Sequence, residues 1–216
     1  MQGNSVRMTH VIISVLFIAV LFVGCMLIPA QPTNPKKAKE LDRFADKYGG
    51  FYIFDKQFVD EIKQREMERK EYMDIFFKTH KLFTRDDLAS LNKALPQTLS
   101  NGCKYYENEI LFFQDKPKYT YYENKIKEYL GAENYNKLKP YMYVYSYYEC
   151  SEKIYPLIIS LNIQYDMVKY GLFGDEGRGF SIAKHYSVPA GTRKYSSTFY
   201  LINDRFVESK ENENDK

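Results

Sequence analysis

Hydrophobic side chains follow three different patterns along the chain of 216 residues. Residues 11–30 are almost all apolar, residues 39–139 tend to repeat their apolar positions at helical spacing, and polar and apolar positions alternate from Tyr141 onward. The second pattern is typical of amphipathic helices, and the third is typical of strands that bury one face. We therefore predict a single α+β domain over residues 39–207, with helices first and then an antiparallel sheet of about four to five strands. A polar, disordered tail is predicted over residues 208–216.

Capping residues divide the helical part of this domain into separate helices. Asp55 is a predicted N-cap of the longest helix, and Thr84 with Asp87 has the spacing of a capping box. The same spacing recurs from Thr120. Helices are therefore predicted to begin after Asp55, Thr84 and Thr120, and a strand is predicted over residues 104–113.

Alternating segments after Tyr141 predict the strands of the sheet. They cover residues 141–149, 155–169, 179–187 and 195–202, and residues 199–208 add a terminal hairpin. Strands that follow one another in this way are typical of an antiparallel meander, in which each strand pairs with the next.

A row of tyrosines occupies every second position of the first of these strands: Tyr141, Tyr143, Tyr145 and Tyr147. The chain has 21 tyrosines and no tryptophan, so phenol rings dominate its large aromatic side chains together with 15 phenylalanines. On a regular strand the four rings share one face. They either fill the core or form an exposed stripe suited to a protein or glycan partner. The register against residues 155–169 decides between these alternatives, and the sequence does not fix it.

The apolar segment VIISVLFIAVLFVGCMLIPA, residues 11–30, carries no charge and is long enough to cross a hydrocarbon core of about 30 Å as a helix. We predict a membrane anchor or signal segment over residues 1–30 and a spacer over residues 31–38. Three fates are open: retention as a single-pass anchor, cleavage as a signal, or lipidation at Cys25. The sequence FVGC resembles the bacterial lipobox in its last two residues, with Phe22 in place of the usual leucine.

Charge and cysteine content give opposite orientations for the body of the protein. Five basic residues within residues 36–47 follow the apolar segment and only Arg7 precedes it, which favours an inner-membrane protein with a cytoplasmic body. An even pair of cysteines, Cys103 and Cys150, is instead typical of a disulfide in an exported domain. We predict this disulfide and a body in the periplasm or at the cell surface. Two separate buried thiols are the alternative.

Charge distribution and histidine spacing argue against two classes of site. The 31 basic and 28 acidic side chains are interspersed, whereas nucleic-acid binding requires a concentrated basic face. The three histidines, His10, His80 and His185, have no pairing with metal-ligand spacing. We therefore predict no nucleic-acid partner, no metal and no cofactor.

No catalytic signature is present in the sequence, which favours a membrane-tethered binding or structural interaction protein over an enzyme. Its predicted partners are the membrane, through residues 11–30, and a protein or glycan at the tyrosine row. A small exported hydrolase is the alternative hypothesis. In that case the glycine-rich loop 171–180 would supply Asp175 or Glu176 as a base, with His185 nearby.

Overall fold

The computed structural model describes residues 29–112, 116–175, 177, 179–191 and 197–209. Apart from its last two residues, the predicted anchor or signal segment lies outside these ranges, and so does Cys25. No helix in the described ranges is both long and apolar enough to be a membrane span.

Helices and strands combine in an α+β architecture, which confirms the predicted fold class. The helices are α1 (Pro35–Tyr48), α2 (Lys56–Phe77), α3 (Arg85–Ala94), α4 (Lys116–Leu130) and α5 (Ala132–Leu138). The strands are β1 (Gln31–Pro32), β2 (Gly50–Ile53), β3 (Lys104–Phe112), β4 (Tyr141–Cys150), β5 (Lys153–Asn162), β6 (Gln164–Asp175), β7 (Gly179–Pro189), β8 (Ser197–Ile202) and β9 (Arg205–Glu208).

Two compact units make up the described chain. The hairpin unit contains the residues up to Asp42 together with Gln164–Ala190, and its three-stranded antiparallel sheet has the order β1-β6-β7. The main unit contains Arg43–Ile163 and the residues from Gly191 onward, and its six-stranded sheet has the order β3-β4-β5-β2-β8-β9. The prediction of one antiparallel sheet is therefore wrong, because the strands are shared between two sheets.

The short strand β2 lies inside the larger sheet and changes its topology. It pairs antiparallel with β5 on one side and parallel with β8 on the other. Its first residue, Gly50, lies opposite Ser197 with a φ of +144°, and a Cβ there would come 1.9 Å from the Ser197 carbonyl oxygen. Only glycine tolerates both conditions. The predicted meander is wrong because β2 separates β5 from β8.

The predicted strand over residues 155–169 is two strands that belong to different sheets. β5 ends at Asn162 and pairs with β4 and β2, whereas β6 begins at Gln164 and pairs with β1 and β7. Polar and apolar residues continue to alternate through this junction. The period of the pattern therefore gives no sign that the chain changes sheet.

Two of the three predicted helix starts are confirmed. The Asp55 side chain accepts a hydrogen bond from the backbone N–H of Phe58 at 3.1 Å. Thr84 and Asp87 form a complete capping box at the start of α3. The start predicted after Thr120 is wrong, because α4 already begins at Lys116. Pro117 has no N–H to satisfy and is well suited to a first helical turn.

Helices pack on both faces of the six-stranded sheet. On one face, Ile53 of β2 packs with Val59 and Ile62 of α2. On the other face, the neighbouring Tyr52 contacts Tyr129 of α4, with ring centroids 6.0 Å apart. Because adjacent strand residues point to opposite faces, the core consists of two layers separated by the sheet.

Tyr52 lies at the centre of the layer between the sheet and α4. Its side chain is fully buried and stacks on Phe199 of β8, with ring centroids 4.7 Å apart. Its hydroxyl donates a hydrogen bond to the backbone carbonyl oxygen of Tyr48 at 2.7 Å. Burial, followed by the nearby Tyr129, raises the pKa of the Tyr52 phenol above its ordinary value, because a phenolate there would be shielded from water.

We expect Tyr52→Phe to destabilise the protein at neutral pH and to reduce its sensitivity to alkali. Loss of the hydrogen bond to Tyr48 should lower the free energy of unfolding by about 1 kcal/mol near pH 8. Above about pH 10 the Tyr52 phenol ionises in the unfolded chain only. In the parent protein this ionisation lowers the free energy of unfolding by about 1.4 kcal/mol for each further pH unit. Denaturant unfolding of the parent and the variant, near pH 8 and above about pH 10, measures the two effects. A parent and variant that lose the same stability in alkali would contradict a buried, neutral phenol.

Candidate functional site

Both cysteines of the main unit are joined in a disulfide. Cys103 directly precedes β3, Cys150 ends β4, and the next pair in the strand register is Lys104 with Glu149. The two Cα atoms are 5.0 Å apart, a usual separation for bonded cysteines. The bond joins positions 47 residues apart and holds the two strands together at the end opposite the chain connection through the two helices α4 and α5. The predicted Cys103–Cys150 pairing is confirmed.

The tyrosine row lies on β4, but an irregular register divides it. Val144 lies opposite Ile159, Ser146 opposite Ile158, and Tyr147 opposite Pro156, with shifts on both sides of Ser146. A β-bulge inserts an extra residue and reverses the alternation of faces beyond it. The expectation that all four tyrosines share one face is therefore wrong for Tyr147.

Tyr147 belongs to the core layer that contains α4. It is buried with Val144 and with Tyr119 of α4. Its ring stacks on Tyr106 of β3 at 4.7 Å, and its hydroxyl donates to Glu109 Oε2 at 3.2 Å. Burial raises the pKa of the Tyr147 phenol, and the negative charge of Glu109 raises it further. Tyr147 is therefore a packing residue with a satisfied hydroxyl.

The other three tyrosines lie on the opposite face of the sheet. Tyr141 is opposite Asn162 and Tyr143 is opposite Ser160. Phe51 of β2 flanks Ser160 from the other side, and its ring is 5.1 Å from that of Tyr145. We call Phe51, Tyr141, Tyr143 and Tyr145 the tyrosine face.

The tyrosine face is partly exposed to solvent and lies over a buried polar contact. Tyr141 is 48% exposed, and Tyr143, Tyr145 and Phe51 are half-buried. Beneath them, Ser160 is buried and accepts a hydrogen bond from Asn162 Nδ2 at 3.2 Å. The rings offer apolar faces for stacking, and the phenol hydroxyls at their edges offer hydrogen bonds. This arrangement suits recognition of a surface or a sugar ring.

Phe51 is the member of the tyrosine face that the sequence did not single out. The segment GFYI around it alternates, but it has only four residues and lies between two helices. Strands are usually predicted from longer alternating segments. Its place in the site depends on the pairing of β2 with β5, which joins residues more than 100 positions apart in sequence.

The residues of the alternative hydrolase site lie apart along the hairpin unit. His185 is exposed on β7 and lies opposite Val168, whereas Asp175 ends β6 opposite Gly179. At about 3.3 Å per residue, Val168 and Asp175 are about 23 Å apart along β6. The side chain of Asp175 and all of Glu176 lie outside the described part. This backbone placement does not bring His185 to Asp175 within hydrogen-bond reach.

The comparisons with known proteins identify no family for the chain. No protein-family model matches it, and neither does any curated protein or solved structure. Within the described ranges, no group of three or more His, Cys, Asp or Glu side chains could hold a metal ion. Since one fold can carry unrelated functions, the function must be inferred from the surfaces of this chain.

Tyr147→Ala and Tyr141→Ala should have very different effects on stability. Removal of the buried Tyr147 ring leaves a cavity and should lower the free energy of unfolding by about 3–4 kcal/mol. Removal of the half-exposed Tyr141 ring should cost about 1 kcal/mol or less. Denaturant unfolding of the two variants measures the difference. Similar losses in both would mean that the bulge does not separate the two tyrosines.

Proposed function

We propose that the chain is a membrane-tethered, extracytoplasmic binding protein whose tyrosine face contacts a protein or glycan partner. The observation that carries this proposal is the clustering of Phe51, Tyr141, Tyr143 and Tyr145 on one accessible face of the sheet. Tyrosine rings provide a large contact area at a low cost in conformational entropy, because the side chain has few rotatable bonds.

The position of β4 supports a preformed binding surface. β4 lies between β3 and β5, and the disulfide fixes one end of the β3–β4 pair. Phe51 is held by pairing of β2 with strands on both sides. A surface that is ordered before binding loses less entropy when the partner arrives. The scaffold thus favours recognition by rigid aromatic contacts.

The disulfide supports an extracytoplasmic location. Disulfides persist in oxidising compartments and are rare in the cytosol, where thiols are kept reduced. Closing the loop between Cys103 and Cys150 contributes about 4 kcal/mol in the chain-entropy model. The apolar residues 11–30 supply the proposed tether, either as a retained span or through lipidation at Cys25.

Thiol labelling of intact cells tests the proposed compartment. In a Cys25→Ala background, we expect a membrane-impermeant maleimide to label the chain only after an impermeant reductant has opened the disulfide. A Cys103→Ser, Cys150→Ser double variant is the matched control for specificity. Thiols that become reactive only after cell lysis, without a reductant, would contradict the extracytoplasmic placement.

Site-directed photo-crosslinking tests the tyrosine face. We expect a benzoylphenylalanine at position 143 to give a discrete adduct in intact cells, because this position lies at the centre of the face. The same probe at position 67 is the control, since Met67 is 64% exposed on α2 of the same unit. The adduct should weaken when Tyr141 and Tyr145 are changed to alanine. Equal crosslinking from positions 143 and 67 would refute a specific contact at this face.

A further inference from the structure

The end of the β6–β7 hairpin carries three large apolar side chains that are strongly exposed. Phe180 is 84% exposed, Ile182 is 78% exposed and Leu172 is 49% exposed. Soluble proteins usually scatter such residues singly, whereas a group of them marks a contact surface. Gly174 lies opposite Phe180, and a Cβ at Gly174 would come 2.5 Å from the ring. Glycine therefore leaves space for the ring to lie across the hairpin.

A pair of lysines lies on the same face, further from the hairpin end. Phe180, Ile182 and Lys184 alternate along β7 and so point to one side, and Lys169 lies directly opposite Lys184. Like charges at opposite positions destabilise a strand pair, and neither lysine has an ion pair within the described residues. Asp166 lies on the other face, where it accepts a hydrogen bond from Ser187 at 2.8 Å. The face thus combines apolar side chains with uncompensated positive charge.

The pairing of β1 fixes the direction from which residues 29 and 30 enter this strand. Gln31 lies opposite Val168 and Pro32 lies opposite Met167. Because the pairing is antiparallel, the chain enters β1 from the side of the hairpin end. The apolar sequence of residues 11–30 stops immediately before Gln31. Residues 29 and 30 therefore lead into β1 from the side of the exposed apolar residues.

We propose that the face of the β6–β7 hairpin that carries Leu172, Phe180 and Ile182 lies against the interfacial region of an anionic bilayer, with Lys169 and Lys184 at the lipid headgroups. This inference rests on the proposed membrane tether, because it places the hairpin at the bilayer that residues 11–30 enter. Along β7, Ile182 and Phe180 lie about 7 and 13 Å beyond Lys184 at about 3.3 Å per residue. Apolar faces of interfacial helices reach a depth of about 5–10 Å, and side chains on a face that lies along the interface need to reach only that depth.

The open edge of β7 limits the depth of insertion. Among the described residues, β7 is the last strand of its sheet, so its outer backbone N–H and C=O groups need water or another partner. Hydrocarbon does not satisfy such groups, whereas the hydrated headgroup region does. The hairpin is therefore expected to contact the interface with this face and not to span the bilayer. Each lysine near an anionic surface should strengthen binding about fivefold.

Tryptophan fluorescence of the full chain in vesicles tests the insertion. The chain contains no tryptophan, so Phe180→Trp introduces a single reporter at an exposed position. Met67→Trp is the control in the main unit, and Phe22→Trp reports separately on the proposed tether. Each variant is reconstituted into phosphatidylcholine vesicles that carry brominated acyl chains, with and without phosphatidylglycerol.

We expect bromine quenching of the Phe180→Trp variant that is absent from Met67→Trp and increases with phosphatidylglycerol. Adding Lys169→Glu and Lys184→Glu should remove this increase. A quenched Phe22→Trp with an unquenched Phe180→Trp would overturn the insertion and leave the tether supported. An unquenched Phe22→Trp would instead refute the tether, whatever the hairpin does. A third outcome is a blue-shifted Phe180→Trp emission that is not quenched and whose shift grows with the protein-to-lipid ratio. This outcome would overturn the insertion and indicate contact between copies of the chain.

Discussion

The insertion of β2 between β5 and β8 is the interaction on which the main unit depends. Without β2, the larger sheet would separate into β3-β4-β5 and the hairpin β8-β9, and an isolated two-stranded hairpin is marginally stable in water. The close approach of Gly50 to Ser197 permits this pairing. Tyr52 and Ile53 then supply one side chain to each core layer. The four residues of β2 therefore connect the two parts of the sheet and contribute to both core layers.

The β-bulge in β4 decides which tyrosines lie on the accessible face of the sheet. It places Tyr147 against Tyr106 and Tyr119 in the core, and it leaves Tyr141, Tyr143 and Tyr145 on the face that also carries Phe51. One strand thus supplies the same residue type to the core and to the proposed binding surface. The Cys103–Cys150 bond holds the other end of this strand, beyond Tyr147, in place.

The hairpin unit and the main unit have complementary roles in the proposed function. In the hairpin unit, β1 follows directly on the apolar amino-terminal sequence and pairs with β6. Exposed apolar side chains and a lysine pair occupy the same hairpin. In the main unit, tyrosines and a phenylalanine form the candidate partner surface. Lipid contact and partner contact are therefore assigned to different parts of the chain by different side-chain chemistry.

The sequence by itself determined the features that depend on local chemistry or on simple counting. These are the α+β class, the helix starts after Asp55 and Thr84, and the Cys103–Cys150 pair. The tertiary structure alone decided which strands are neighbours, where the chain changes sheet after Asn162, and how the bulge divides the tyrosine row. The physical reason is that alternation reports the period of a strand but not its partner. Pairing depends on hydrogen bonds and packing between segments that are distant in sequence.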